Sequence, residues 1–251
     1  MSEKIKIEFL ACSYKPPLYI DAPDIKEAVE EAHRMGHDLS YAYLPGACLR
    51  HADLSGVDFS FADLSRTDMT WVNLSHAKLR ETVLRGASLS NSNLSGADLT
   101  YADLQRTDLF CVNAQDAVFE GACMRHANLG LSSMRKVNLD DAQIIHVDLR
   151  GSVMDGATYD GKELWRVRPI LQLGSCGFYN RATIVLFYED CSEPTVLCGC
   201  FRGTISQFED AIHSKHSGTF YEYEYMAMVY HIKAIRHYQL DHEDEYNNRK
   251  D

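Results

Sequence analysis

Residues 37–81 read HDLSY AYLPG ACLRH ADLSG VDFSF ADLSR TDMTW VNLSH AKLRE, and the five-residue phase continues without a slip to residue 161, giving 25 units. Neither the 3.6-residue period of a helix nor the 2.0-residue period of a strand can produce it. The third residue of each unit is Leu in sixteen cases, with Phe59, Met69, Ala114, Phe119, Met124, Met134, Ile144, Met154 and Tyr159 as the others. The first residue is Ala, Val, Ser or Thr everywhere except His37. One large and one small residue per five turned inward, with three polar ones turned outward, describes one wall of a narrow tube. A short period sustained this long means a solenoid in which each coil contacts only its neighbours.

Units such as ADLSG at 52–56, ADLSR at 62–66, ADLTY at 97–101 and ANLGL at 127–131 follow the pattern A(D/N)LXX. In this they resemble pentapeptide-repeat proteins, and the resemblance covers half the chain. It implies a β fold, a right-handed quadrilateral parallel β-helix with four units per coil. Twenty-five units then make about six coils, and at roughly 4.8 Å between stacked strands the tube is about 30 Å long. The small first residues are obligatory in so narrow a bore, because a bulky side chain there overpacks it. Burial of each Leu contributes about 1.5–3 kcal/mol.

The net charge of −11 keeps the chain soluble and argues against direct binding to nucleic acid. No stretch approaches the length of a membrane span, and the opening MSEKIKIEF has no signal-peptide layout. Eight cysteines, Cys12, Cys48, Cys111, Cys123, Cys176, Cys191, Cys198 and Cys200, lack disulfide-scaffold or zinc-ribbon spacing, which places the protein in a reducing cytoplasm. P-loop, GxGxxG, HExxH and GxSxG motifs are absent from the sequence. The chain therefore reads as a non-enzyme with no cofactor and no metal.

Three segments are expected. Residues 1–36 form an N-terminal cap, needed because an open β-helix exposes strand edges at its end coils. Within it, Lys4 to Ala11 alternates like a strand, Pro16-Pro17 interrupts it, and Asp24 caps a helix from Ile25 to Met35 closed by Gly36. Ile25, Ala28, Val29 and Ala32 share the helix face that sits on the first coil. Residues 37–161 form the repeat. Residues 162–251 form a small α+β domain with strands at 170–173, 182–188 and 195–201, a turn at 174–177, a helix Ile205–His213 capped by Thr204, and a second helix near 220–238 before a polar tail. The order of these elements, with Gly199, Cys200, Phe201, Gly203 and Thr204, looks like a C-terminal domain appended to phage pentapeptide-repeat proteins, as the strand-helix entry resembles their N-terminal segment.

With four units per coil, positions 20 apart stack, so the outward charges can be sorted by wall. The wall centred on Leu39, Phe59, Leu79, Leu99, Phe119, Leu139 and Tyr159 carries Asp38, Asp58, Glu81, Asp98, Glu120, Asp140, Asp141 and Asp160 against Lys78 and Arg80, a net of −6. The next wall, with Arg66, Arg85, Arg106 and Arg125 against Asp63 and Asp103, is +2, and the other two are −1 each. Tyr41, Phe61 and Tyr101 fall in one column of the acidic wall, interrupted by Glu81, and Trp71 and Phe110 lie near each other on the third. An acidic stripe with exposed aromatics has the composition of a partner-binding surface. A structural cause competes for the fourteen Asp and Asn residues that precede a central residue, since turn chemistry and ladder pairing favour them there. The aromatics also suit a homodimer contact.

Some pentapeptide-repeat proteins bind DNA gyrase as DNA mimics, so the resemblance implies a host protein with a basic nucleic-acid-binding groove as partner, with no direct nucleic acid and no membrane. Loops that interrupt the coils in gyrase-protecting members are missing here. The alternative is a rigid spacer whose C-terminal domain binds the partner or dimerises. Cys198 and Cys200 point to one face of the 195–201 strand, with His213 and His216 following, but the spacing is not a zinc pattern. His126 and His146 stack as a surface pair, and Arg66 and Arg106 are expected in salt bridges to Asp63 and Asp103.

Overall fold

The computed structural model of the chain describes residues 4–164, 170–176, 181–188, 192–198 and 201–241. Contacts divide the chain into two units, Met1–Gly161 and Lys162–Asp251.

In the first unit, parallel bridges join residues 20 apart, from Tyr43↔Asp63 to Asn138↔Thr158, so each coil holds four five-residue units. All 25 central residues are buried, and so are the small first residues except His37, Ala47 and Ser152 in the end coils. Neighbouring coils are joined by short backbone hydrogen bonds on every wall. Leu94 N–H donates to Asn113 O at 2.7 Å, and Asn113 N–H donates to Ser92 O at 3.0 Å. The corners follow one rule. The residue after the corner returns its N–H to the central carbonyl three back, as Ala97 does to Leu94 at 3.0 Å. The fifth residue of every unit has a positive φ, at eight glycines and at seventeen other residues. A positive φ at the third position of a turn is the signature of type II. None of the seventeen is β-branched, because Val, Ile and Thr tolerate this conformation worst.

Inward hydroxyls are absorbed by the same lattice. Thr82, Thr107 and Ser132 each donate at 2.8 Å to the central carbonyl one coil below, that of Phe59, Leu84 and Leu109. Ser92 Oγ is buried without a partner among the described residues.

The first coil is closed by the N-terminal segment. Strand β1 (Ile5–Phe9) pairs antiparallel with β2 (Leu18–Ile20) on one side and with β3 (Ala42–Tyr43), part of the first coil, on the other. The sequence reading contains no β2, and its single strand from Lys4 to Ala11 ends earlier, in a 3-10 turn at Ala11–Ser13. Helix α1 (Ile25–Arg34) starts at Asp24, whose carboxylate accepts Glu27 N–H at 2.9 Å, and buries Ala28, Val29 and Ala32. Its polar side meets the edge of the tube. Glu30 Oε1 accepts Asp53 N–H at 2.8 Å, and His33 Nε2 lies 2.9 Å from Ser55 O. These contacts pair edge groups that would otherwise recruit another strand.

After the two-residue strands β4 (Thr158–Tyr159) and β5 (Lys162–Glu163), the second unit forms an antiparallel sheet in the order β6 (Ile170–Cys176), β7 (Arg181–Leu186), β8 (Thr195–Cys198), β9 (Phe201–Thr204), followed by α2 (Ile205–His216) and α3 (Phe220–Asp241). Val185, Phe187, Val196, Phe208, Ile212, Val229 and Ile232 are among its core residues. Two expectations are corrected. The segment 174–176 extends β6 through an irregularity in register between Leu173 and Cys176 and is not a turn. The stretch 195–201 is not one strand, because Cys198 pairs with Phe201 across a hairpin. Cys198 is buried in the core, while Cys200, with Gly199 and Cys191, lies outside the described residues, as does the expected pairing of Cys198 and Cys200 on one face. Helix α2 runs one turn past His213, and its N-terminus is a capping box of Thr204 and Gln207. The polar tail falls outside the described residues.

Candidate functional site

The outward side chains obey the corner geometry. Each of the fourteen Asp and Asn residues that precede a central residue accepts the N–H two residues on, at 2.8–3.3 Å. This is the Asx turn, and it gives all fourteen a folding role. Asn ladders add to it, with Asn73 donating to Asp53 at 2.8 Å and Asn113 to Asn93 at 3.1 Å.

This sorts the candidate carboxylates of the acidic wall. Asp38, Asp58 and Asp98 hold turns, and each also meets a cation: Lys15 at 2.6 Å, Lys78 at 3.3 Å and Arg80 at 3.0 Å. Burial pushes the Asp38 carboxyl up, but hydrogen bonds from Lys15 and Ser40 outweigh it and hold its pKa at about 2. Asp98 is likewise held low against its own burial by Thr100 and Arg80. Asp140 accepts Gly161 N–H at 2.8 Å, and Glu120 accepts from Asn138 at 3.4 Å. Glu81 and Asp141 are exposed and have no partner among the described residues. Both occupy the fifth position of a unit, three coils apart in one column.

The aromatics divide similarly. Tyr41 and Phe61 stack at 4.8 Å and 12°, with Lys15 Nζ 5.8 Å from the Tyr41 ring. Tyr101, 58% exposed, lies over Gly121, where a Cβ would come within 2.3 Å of the ring. The column of the acidic wall thus reads Tyr41, Phe61, Glu81, Tyr101, Gly121, Asp141. The third wall carries Trp71 and Phe110. Trp71 stacks on His51 at 6.4 Å, while Phe110 covers Gly130, so the two rings have different neighbours.

The neighbouring basic wall departs from expectation. Arg66 and Arg106 make no salt bridge to Asp63 or Asp103. Asp63 accepts Ser65 N–H, and Asp103 pairs with Arg85 at 2.6 Å. The reason is position within the unit. An arginine in fourth place reaches the second-place acceptor 18 residues on, as Arg50, Arg80 and Arg85 do with Asp68, Asp98 and Asp103. An arginine in fifth place points away from it. His126 and His146 stack at 5.0 Å in the column of Arg66 and Arg106.

Among the described residues no group of His, Cys, Asp and Glu could hold a metal ion, and no helix is long and apolar enough to cross a membrane.

A family model described as pentapeptide repeats matches residues 38–70, 73–109 and 115–151 in eight copies. No curated protein sequence matches significantly. Similar solved structures include a pentapeptide repeat protein from the Arabidopsis thaliana thylakoid lumen, 24% identical over 38% of this chain and 66% of that one, with a TM-score of 0.37. Another, from the cyanobacterium Cyanothece 51142, is 24% identical over 45% of this chain and 91% of that one, with a TM-score of 0.36. QnrB1, a plasmid-mediated fluoroquinolone resistance protein, is 19% identical over 47% and 72%, with a TM-score of 0.25. At such scores the assignment of family rests on the repeat sequence.

Proposed function

The repeat region of this chain belongs to the pentapeptide-repeat family, and from that premise we propose that the protein is a non-catalytic scaffold whose acidic wall binds a basic, nucleic-acid-binding groove on a partner protein. In this reading it is a cytoplasmic, phage-type inhibitor that presents carboxylates where DNA would present phosphates. Coils about 4.8 Å apart give a sparser version of phosphates spaced about 3.4 Å along a strand. The observation that carries the reading is the column Glu81, Tyr101, Asp141: two exposed carboxylates without partners among the described residues flank an exposed aromatic ring. Folding explains Asp38, Asp58 and Asp98, but it does not explain these.

The test follows from that distinction. Reversal of Asp58 or Asp98 would break a turn, so Glu81→Lys with Asp141→Lys is the informative double variant. Expected is capture of a DNA-binding protein that duplex DNA competes away, that weakens with salt, and that the double variant abolishes. Capture indifferent to salt, to DNA and to both reversals would remove the reading.

A second reading has its own observation. Helix α3 buries Tyr225, Val229 and Ile232 on one side and exposes Phe220, Tyr223 and Tyr230, at 70%, 73% and 66%, on the other. With Ala227 and Ala234, also exposed, these fall at alternating three- and four-residue spacing, the pattern of a helix seam. A second copy of α3 offers the same stripe and can pair isologously with it. Tyr223→Glu with Tyr230→Glu is then expected to convert a dimer to a monomer in sedimentation. A wild-type protein that is monomeric at all accessible concentrations would exclude it.

A further inference from the structure

On the basic wall, the fifth-place column reads Gly46, Arg66, Gly86, Arg106, His126, His146, with no carboxylate in it. Between the arginines is a depression of about 540 Å³ lined by both of them, by Gly46 and Gly86, and by Arg85. Gly86 forms its open floor. A Cβ there would meet only Arg66 Cγ, at 3.8 Å, and seventeen other corners manage the same backbone without glycine. The Gly86 N–H is spent on Gln105 O at 2.9 Å, so the side chains alone supply donors. Arg66 and Arg106 are exposed and have no ion pair or side-chain hydrogen bond among the described residues. Arg85 sits at the rim, its charge shared with Asp103 at 2.6 Å. Counting Arg66, Arg85 and Arg106 against Asp63 and Asp103, the site is net positive by one, within a chain of net charge −11.

Two unpaired guanidinium groups two coils apart, about 10 Å along the tube, with a cleared floor between them, suit an anion with more than one charged group. Guanidinium forks bind phosphate oxygens in pairs. A monovalent ion can satisfy one fork; a diphosphate can engage both. We propose that this depression binds a diphosphate group, free or carried on a nucleoside, with Arg66 and Arg106 gripping it from either side and Arg85 closing the rim. The site is on a different wall from the acidic column, so either can fail without the other.

Calorimetric titration of the full chain at low ionic strength tests it, with inorganic pyrophosphate, ADP and orthophosphate as probes. Expected is saturable one-to-one binding of pyrophosphate or ADP, at least about tenfold tighter than orthophosphate and weakened by salt. Arg66→Ala and Arg106→Ala should each cost about tenfold, Arg66→Lys less, because charge remains but the fork is lost. Arg135→Ala, on another wall, should change nothing. Tighter binding of pyrophosphate than of ADP marks a site for the free anion, and the reverse marks a nucleotide site. No saturable binding of either diphosphate, or the same affinity in Arg66→Ala and Arg106→Ala, overturns the proposal. Arg66→Lys, with Arg106→Lys as its counterpart, keeps the test valid should an alanine variant fold poorly.

Discussion

Ser92 and Ser132 fill the same inward position on the same wall, two coils apart, yet only one has a hydrogen-bond partner. Ser132 is 1% exposed; its Oγ donates to Leu109 O at 2.8 Å and faces Val112 N–H at 3.3 Å. Ser92 is 3% exposed and its Oγ has no partner among the described residues. Replacement of each by alanine removes one oxygen and leaves the Cβ in place. At Ser132 this forfeits a made hydrogen bond, worth about 1 kcal/mol, and orphans the Leu109 carbonyl on that side. At Ser92 it removes a buried hydroxyl that costs about 1–3 kcal/mol to leave unpaired, against a small loss of packing. Ser132→Ala should therefore lose about 1 kcal/mol and Ser92→Ala gain about 1 kcal/mol. For a unit of this size that separates the two variants by about 4–8 °C in melting temperature. Urea unfolding of the full chain, followed by circular dichroism with the denaturant slope held equal between variants, measures it. If Ser92→Ala proves as destabilising as Ser132→Ala, the bonding of inward hydroxyls does not govern the stability of this tube.

Other consequences are open to the same assay. Leu94 is 0% exposed at mid-tube, so Leu94→Ala should cost about 2–5 kcal/mol, and Leu94→Lys should split or unfold the coils; unchanged melting in the lysine variant would refute the inward assignment. Cys111 holds a left-handed corner at φ 56; Cys111→Val should destabilise by about 1–2 kcal/mol or more while Cys111→Gly is neutral or better, and a tolerated valine would argue against the corner rule. Asp38, Asp68, Asp98 and Asp148 are all held below the usual carboxylate range, Asp38 at about 2, burial opposing and hydrogen bonds prevailing in the first three, and Arg150 leading in the last. Because the folded state favours their ionised forms, their contribution is complete above the unfolded pKa of about 3.9 and is lost as pH falls toward 2. A urea midpoint that is flat between about pH 5 and pH 2.5 would contradict this.

The walls and the bore were legible because side-chain direction in this fold depends only on place within five. Leu39 to Tyr159 could be assigned inward by counting alone. The corners were legible too, in the absence of Val, Ile and Thr from every fifth place, a signal the apolar pattern obscures. The pairing of charges was not legible. Sorting by wall treats Arg85 and Arg106 alike, but fourth and fifth places leave the corner in different directions, and only the former reaches an aspartate on the next coil. In the same way Asp58 and Glu81 count equally toward a wall's charge, although one holds a turn and the other holds nothing. Strand β2 escaped notice because its three residues follow Pro16-Pro17 and owe their conformation to pairing with β1. The division of 195–201 into β8 and β9 is not legible because the apolar run continues from Val196 to Phe201, while Cys198 pairs with Phe201.

The uninterrupted count of five has a geometric corollary for how such a molecule can change. Insertion of one extra unit keeps every corner valid yet turns all downstream residues by a right angle, delivering the acidic column onto the side now held by its neighbour. Insertion of four units merely lengthens the stack and restores the alignment. Lineages of this architecture can thus redistribute surface chemistry by quarter rotations, in single steps that leave the interior untouched.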